Sequence, residues 1–211
     1  MSFLIRFWDV VRHLDAHIVW LVAHYDGWAY LILSLIVFLE NGVVLTPFLP
    51  GDSLIFICGS LAAKGSLHPV WLSVFLIISA TLGAFFNYAV GHFAKPYLAN
   101  GKLSFIRPSY IKKTSDYFDR YGEITIGIAK FLPIVRTFAP FLAGVSQMPF
   151  WTFAIYNILG SVVWICFFVG TGFYFGNIPI IKDNLMVVAF GIVSISVLPV
   201  IWQLFRSSRV G

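Results

Sequence analysis

Apolar residues run without a formal charge from position 70 to 94 (VWLSVFLIISATLGAFFNYAVGHFA), and long apolar runs return at 150–176 and 184–205. A helix needs about 20 such residues to cross the roughly 30 Å of bilayer hydrocarbon, so each run predicts a membrane-spanning helix. A further span begins near Trp28 and stays apolar to Leu39. Two other stretches are equally apolar but broken. Residues 40–63 are interrupted by Gly42, Pro47, Pro50 and Gly51, and residues 124–149 by Pro133, Pro140 and Gly144. The dyad alternation of a membrane β-barrel is absent.

Near the N-terminus the pattern changes. Ser2, Arg6, Asp9 and His13 recur at helical spacing among Phe3, Leu4, Phe7, Trp8 and Val11. That predicts an amphipathic helix within residues 1–27 lying in the membrane interface. Two aspartates interrupt any signal-peptide core and no small-residue cleavage site follows, which argues against a cleaved leader.

Composition agrees with the pattern. Of 211 residues, 59% are hydrophobic and only 11% charged, where a soluble domain carries about 25% charge. One membrane domain over 28–205, with a short tail at 206–211, leaves no room for a separate soluble one. Cys58 and Cys166 stand alone in apolar runs, and the five histidines form no ligand pair, so neither a metal nor another cofactor is expected. The net charge of +5 points to membrane topology and anionic lipid, and nucleic acid is not an expected partner.

The basic residues set the expected topology. Arg6 and Arg12, six Lys and Arg within 95–123, and Arg206 and Arg209 all belong on the cytoplasmic side if basic loops stay inside. Loop 95–123 and the C-terminus are separated by two full spans plus 124–149. The broken segment must then enter and leave on one face. The same parity makes 40–63 dip in from the other face. The expected architecture is all-α and polytopic, with two oppositely oriented re-entrant hairpins. Phe48-Leu49-Pro50 with Asp52 and Gly59, and Phe131-Leu132-Pro133 with Arg136 and Gly144, occupy matching places, the pattern of an inverted repeat around a midplane site.

FLENGVVLTPFLPGD and GIAKFLPIVRTFAPFLAGVSQM resemble the two signature segments of the DedA family. GAFFNYAVGH and NILGSVVW resemble two further family stretches. The likeness extends from about Trp28 to Gly176. Lys130 stands where most members have Arg, Ala84 where many have an acid, and His92 where many have Arg. The resemblance implies kinship with eukaryotic VTT-domain lipid scramblases. It also implies movement of undecaprenyl phosphate or phospholipid across the bacterial cytoplasmic membrane, driven by the proton-motive force.

Four charges lie in apolar surroundings. An ionisable side chain there costs at least about 2.5–3.5 kcal/mol and is a functional candidate by default. Arg136 and Lys130 would bind a lipid phosphate. Glu40 and Asp52 would balance them and exchange protons, each protonation releasing a base to take phosphate. Asp52 also suits the N-cap of a helix starting near Ser53, and Glu40 could end the preceding helix at the interface. The expected function is a flippase for a phosphate-bearing lipid. Alternatives are a proton-coupled carrier of a small solute or ion and, less in keeping with the absence of a nucleophile–base cluster, a membrane lipid phosphatase. An enzyme is not expected, and the oligomeric state is not encoded in any pattern found.

The topology makes Ser66 and Asn184 external. Cysteines placed there should react with an impermeant maleimide in intact cells, and protection of both would overturn the assignment.

Overall fold

The computed structural model of the chain describes residues 14–25, 27–43, 51–99, 124–175 and 178. Seven helices lie among the described residues: α1 (Leu14–Tyr25), α2 (Trp28–Gly42), α3 (Gly51–Ala63), α4 (Pro69–Ala99), α5 (Ile124–Ala129), α6 (Pro133–Val145) and α7 (Phe150–Phe175). Pro69–Pro96 and Phe150–Phe175 are long and apolar enough to cross a membrane. The expected span at 184–205, residues 1–13 of the amphipathic segment, and the loop from residue 100 to 123 lie outside the described residues.

The outer face of α4 argues that its surroundings are lipid. Val70, Val74, Ile78, Leu82, Phe86 and Val90 follow one another at intervals of four and are all exposed. One turn of helix is 3.6 residues, so they form a continuous apolar stripe. A water-soluble monomer rarely exposes so extended a patch.

The chain divides into two compact units. The first draws on Met1–Ser34, Leu49–Leu76 and Ile165–Gly211. Here α1 packs on α3 through a face that buries Ile18 and Val22. Helix α3 is buried from Gly51 to Ala62. Asp52 lies in its first turn, where the helix dipole favours a negative charge. Gly59 of α3 and Gly172 of α7 bring two backbones together: a Cβ on Gly59 would overlap the Val169 carbonyl, and one on Gly172 the Phe56 carbonyl.

The second unit comprises Leu35–Phe48 and Ile77–Trp164. Ala84, Tyr88, Ile126, Ala129, Ala139, Ala143, Met148 and Phe153 form its core. Half of these are alanines, in keeping with helices in lipid associating by close packing, with no hydrophobic gain between them. Gly91 of α4 and Gly144 of α6 repeat the arrangement of the first unit. A Cβ on Gly91 would meet the Phe141 carbonyl, and one on Gly144 the Tyr88 carbonyl. Gly91 and Gly172 stand at the same offset from Pro69 and Phe150, the starts of their helices. The Tyr88 hydroxyl donates to the Met148 carbonyl at 2.6 Å, tying down the α6–α7 turn in which Gln147 adopts φ 61°.

Segment 124–149 is not one helix. α5 ends at Ala129, and α6 begins with Pro133 behind an extended Leu132. Proline suits that first position, since its fixed φ is helical and its missing N–H is not needed there. Two expected breaks need correction. Pro140 and Gly144 both lie inside α6. Gly144 is required by the approach to Tyr88, and Pro140 is tolerated because neighbouring helices hold the backbone in place. Helix α2 also runs further than expected, through Gly42, so Glu40 sits in its last turn. Between it and α3 lie Pro47 and Pro50, outside the described residues.

The Tyr88 carbonyl cannot yield to a Cβ as a side-chain tip could, so Gly144→Ala should cost about 1–3 kcal/mol, the usual scale of overpacking. Gly170 has nothing within 4 Å of a built Cβ, and Gly170→Ala should be neutral. Thermal unfolding in detergent separates the two, and equal melting points would contradict the close α4–α6 crossing.

Candidate functional site

Three of the four charges singled out in the sequence meet in the second unit. Glu40, in the last turn of α2, is 0% exposed and Arg136, in the first turns of α6, is 2% exposed. An Arg136 guanidinium nitrogen donates to the Glu40 carboxylate, forming a buried ion pair. The guanidinium carbon lies 4.8 Å from the centre of the Trp164 ring, whose electron-rich face favours a cation. Burying such a pair is costly, and breaking it costs more, because one charge is then left uncompensated.

Lys130 stands in the break between α5 and α6 and is 1% exposed. Its stem passes over Gly160, where a Cβ would come within 3.2 Å of the Lys130 Cγ. Its ammonium donates to the Asn41 side-chain oxygen at 3.5 Å. Around this point the described residues supply two cations to one carboxylate, all buried. Such a site favours an additional anion. Asp52 belongs to the first unit, where it is 6% exposed at the start of α3. Among the described residues no group of three or more His, Cys, Asp and Glu could hold a metal ion.

Sequence reasoning missed three asparagines, all completely buried. Asn41 donates its amide to the Val37 carbonyl at 2.9 Å, which turns its oxygen to Lys130. Asn87 donates to the carbonyls of Asn41 at 3.1 Å and Thr137 at 2.6 Å. Asn157 donates to the Thr81 carbonyl at 3.3 Å. In each case the amide nitrogen is on a backbone carbonyl, which fixes which end of the amide is which. Asn157, Ser161 and Trp164 share a face of α7 at helical spacing. An amide at the middle of a charge-free span was the available signal, at Asn87 in GAFFNYAVGH and at Asn157 in NILGSVVW.

The VTT domain family matches residues 49–174. Protein DedA of Escherichia coli K12 is 42% identical over 95% of this chain and 93% of its own length. The chain belongs to the VTT-domain, or DedA, family of membrane proteins. An uncharacterized membrane protein of Mycobacterium tuberculosis is 36% identical over 84% of this chain and 79% of its own. The E. coli inner membrane protein YghB is 30% identical over 83% and 78%. No solved structure matches. The matched segment includes Lys130, Arg136, Asn87 and Asn157, whereas Glu40 and Asn41 lie ahead of it.

Removing the guanidinium takes away Glu40's ion-pair partner and leaves Lys130 as the nearby cation, so Arg136→Ala should lower stability by at most about 3–5 kcal/mol. Adding Glu40→Gln to Arg136→Ala should restore part of the loss. Unfolding curves of the single and double variants in detergent test this, and identical curves would contradict a buried, interacting pair.

Proposed function

We propose that this DedA-family protein is a transporter that moves a phosphate-bearing lipid, undecaprenyl phosphate or a phospholipid, across the bacterial cytoplasmic membrane. The observation that carries the reading is the Lys130 ammonium, buried beside the Arg136–Glu40 pair and held by an amide oxygen at 3.5 Å. A phosphate supplies the negative charge this cluster lacks. The lipid's acyl or prenyl tail remains in hydrocarbon, in keeping with the apolar stripe on α4.

In this reading Arg136 alternates between Glu40 and phosphate. Protonation of Glu40 releases the guanidinium, and deprotonation draws it back. The proton gradient is thereby coupled to loading and release. The protein spans the membrane several times, with the N-terminus, loop 95–123 and C-terminus in the cytoplasm and its N-terminal helix in the interface.

Two features support oppositely oriented hairpins within an inverted repeat. Neither 40–63 nor 124–149 is a continuous helix, since α2 ends at Gly42 and α5 at Ala129. The glycine crossings also exchange partners. Helix α3 of the first broken segment meets α7, and helix α6 of the second meets α4, at equivalent glycines.

The test is reconstitution in liposomes carrying labelled undecaprenyl phosphate or labelled phospholipid, with leaflet accessibility followed under an imposed proton gradient. Wild-type protein should move label faster than empty liposomes. Arg136→Ala should reduce movement to the empty-liposome rate while inserting normally, because phosphate loses its bidentate donor. Lys130→Arg, which keeps the charge, should retain transport. Undiminished movement by folded Arg136→Ala would place the lipid path elsewhere. Phosphate released from the lipid would instead identify a phosphatase.

A further inference from the structure

Asn87 occupies a position that the charged residues alone do not account for. On α4, Gly83, Asn87 and Gly91 follow at intervals of four and share one face. At Gly83 the backbone of α2 comes close: a built Cβ would lie 2.6 Å from the Phe38 carbonyl and 3.1 Å from the Asn41 Cβ. At Gly91 it is α6 that comes close, at the Phe141 carbonyl. Asn87 stands between the two approaches, one turn from each. A side chain as short as asparagine's therefore reaches both neighbouring backbones.

It uses its two amide hydrogens on the carbonyls of Asn41 and Thr137. These are the residues immediately after Glu40 and Arg136 in the chain. The Asn41 carbonyl belongs to the last turn of α2, where a helix runs out of its own donors. No water replaces those donors inside a membrane. The amide cannot turn over, because its oxygen would then face two carbonyl oxygens. As it stands, the Asn87 oxygen is buried and has no donor among the described residues.

We propose that Asn87 is the positioning residue of the charge cluster. It clips the end of α2 to α6 and so fixes the register in which Glu40 and Arg136 meet. Its importance for transport rests on the transporter reading above; its effect on the two helices does not.

The test uses full-length protein in phospholipid nanodiscs, with Cys166→Ala to remove the exposed native thiol. Nitroxides are attached at cysteines replacing Leu39 on α2 and Phe138 on α6, both exposed. Electron–electron resonance should give one narrow distance for the parent protein. Asn87→Asp, almost the same shape but without the donors, and Asn87→Ala should raise the population at displaced distances on the order of tenfold, the scale expected for two lost buried hydrogen bonds. Asn87→Ser keeps one donor and should fall between, which also guards against a variant that fails to fold. Asn157→Ala removes an equally buried amide that touches neither helix's carbonyls and should leave the distribution unchanged. A parent-like distance for folded Asn87→Ala, or equal broadening by Asn157→Ala, would overturn the proposal. If the parent protein moves no lipid, the distance result still decides it.

Discussion

Taking a guanidinium and a carboxylate out of water costs several kcal/mol per ion, and only close, well-oriented pairing offsets that cost. Glu40 and Arg136 are 96 residues apart in the chain, so pairing them requires two helices held in one register. Much of the second unit serves that requirement. Glycines on α4 let α2 and α6 approach to backbone contact, Trp164 covers the guanidinium, and Asn87 fastens the main chain beside each partner. Lys130 is then held within the same buried surroundings, with an amide oxygen as its hydrogen-bond acceptor.

Charge in an apolar context was legible in the sequence, and so were the long spans at 70–94 and 150–176. Formal charges are conspicuous there because lipid penalises them heavily. The break at Pro133 was legible too, since proline at a helix start has a definite physical preference. Pro140 and Gly144 misled because the rule that they break helices is calibrated on helices exposed to water. Packed among other helices, a proline's missing hydrogen bond is tolerated, and a glycine's lack of a side chain becomes a means of contact. Glu40 drew attention to the broken segment after it, whereas the helix continues through Asn41 and Gly42.

The asparagines escaped notice for a different reason. An amide carries no charge and barely lowers the apolar average of its span. Its value appears only when both carbonyl acceptors are brought to it by segments far away in the chain, as Asn41 and Thr137 are brought to Asn87. Asp52 presents the converse case. Its residue type and the Pro-Gly before it suggested a carboxylate facing the bases, and the same features suit a helix start. The helix start is where it lies.

The reciprocal glycines have a mechanical consequence. Where Gly91 meets Phe141 and Gly144 meets Tyr88, α4 and α6 touch main chain to main chain, with no layer of side chains between them to repack. Such a joint resists sliding, because a shift along either helix drives one backbone into the other. It behaves as a bonded plate. Arg136 and Asn87 ride on that plate together, whereas Lys130 sits at the crease where α5 gives way to α6. The two cations of one cluster are thus mounted on parts of different stiffness, one fixed to the frame and one at its joint.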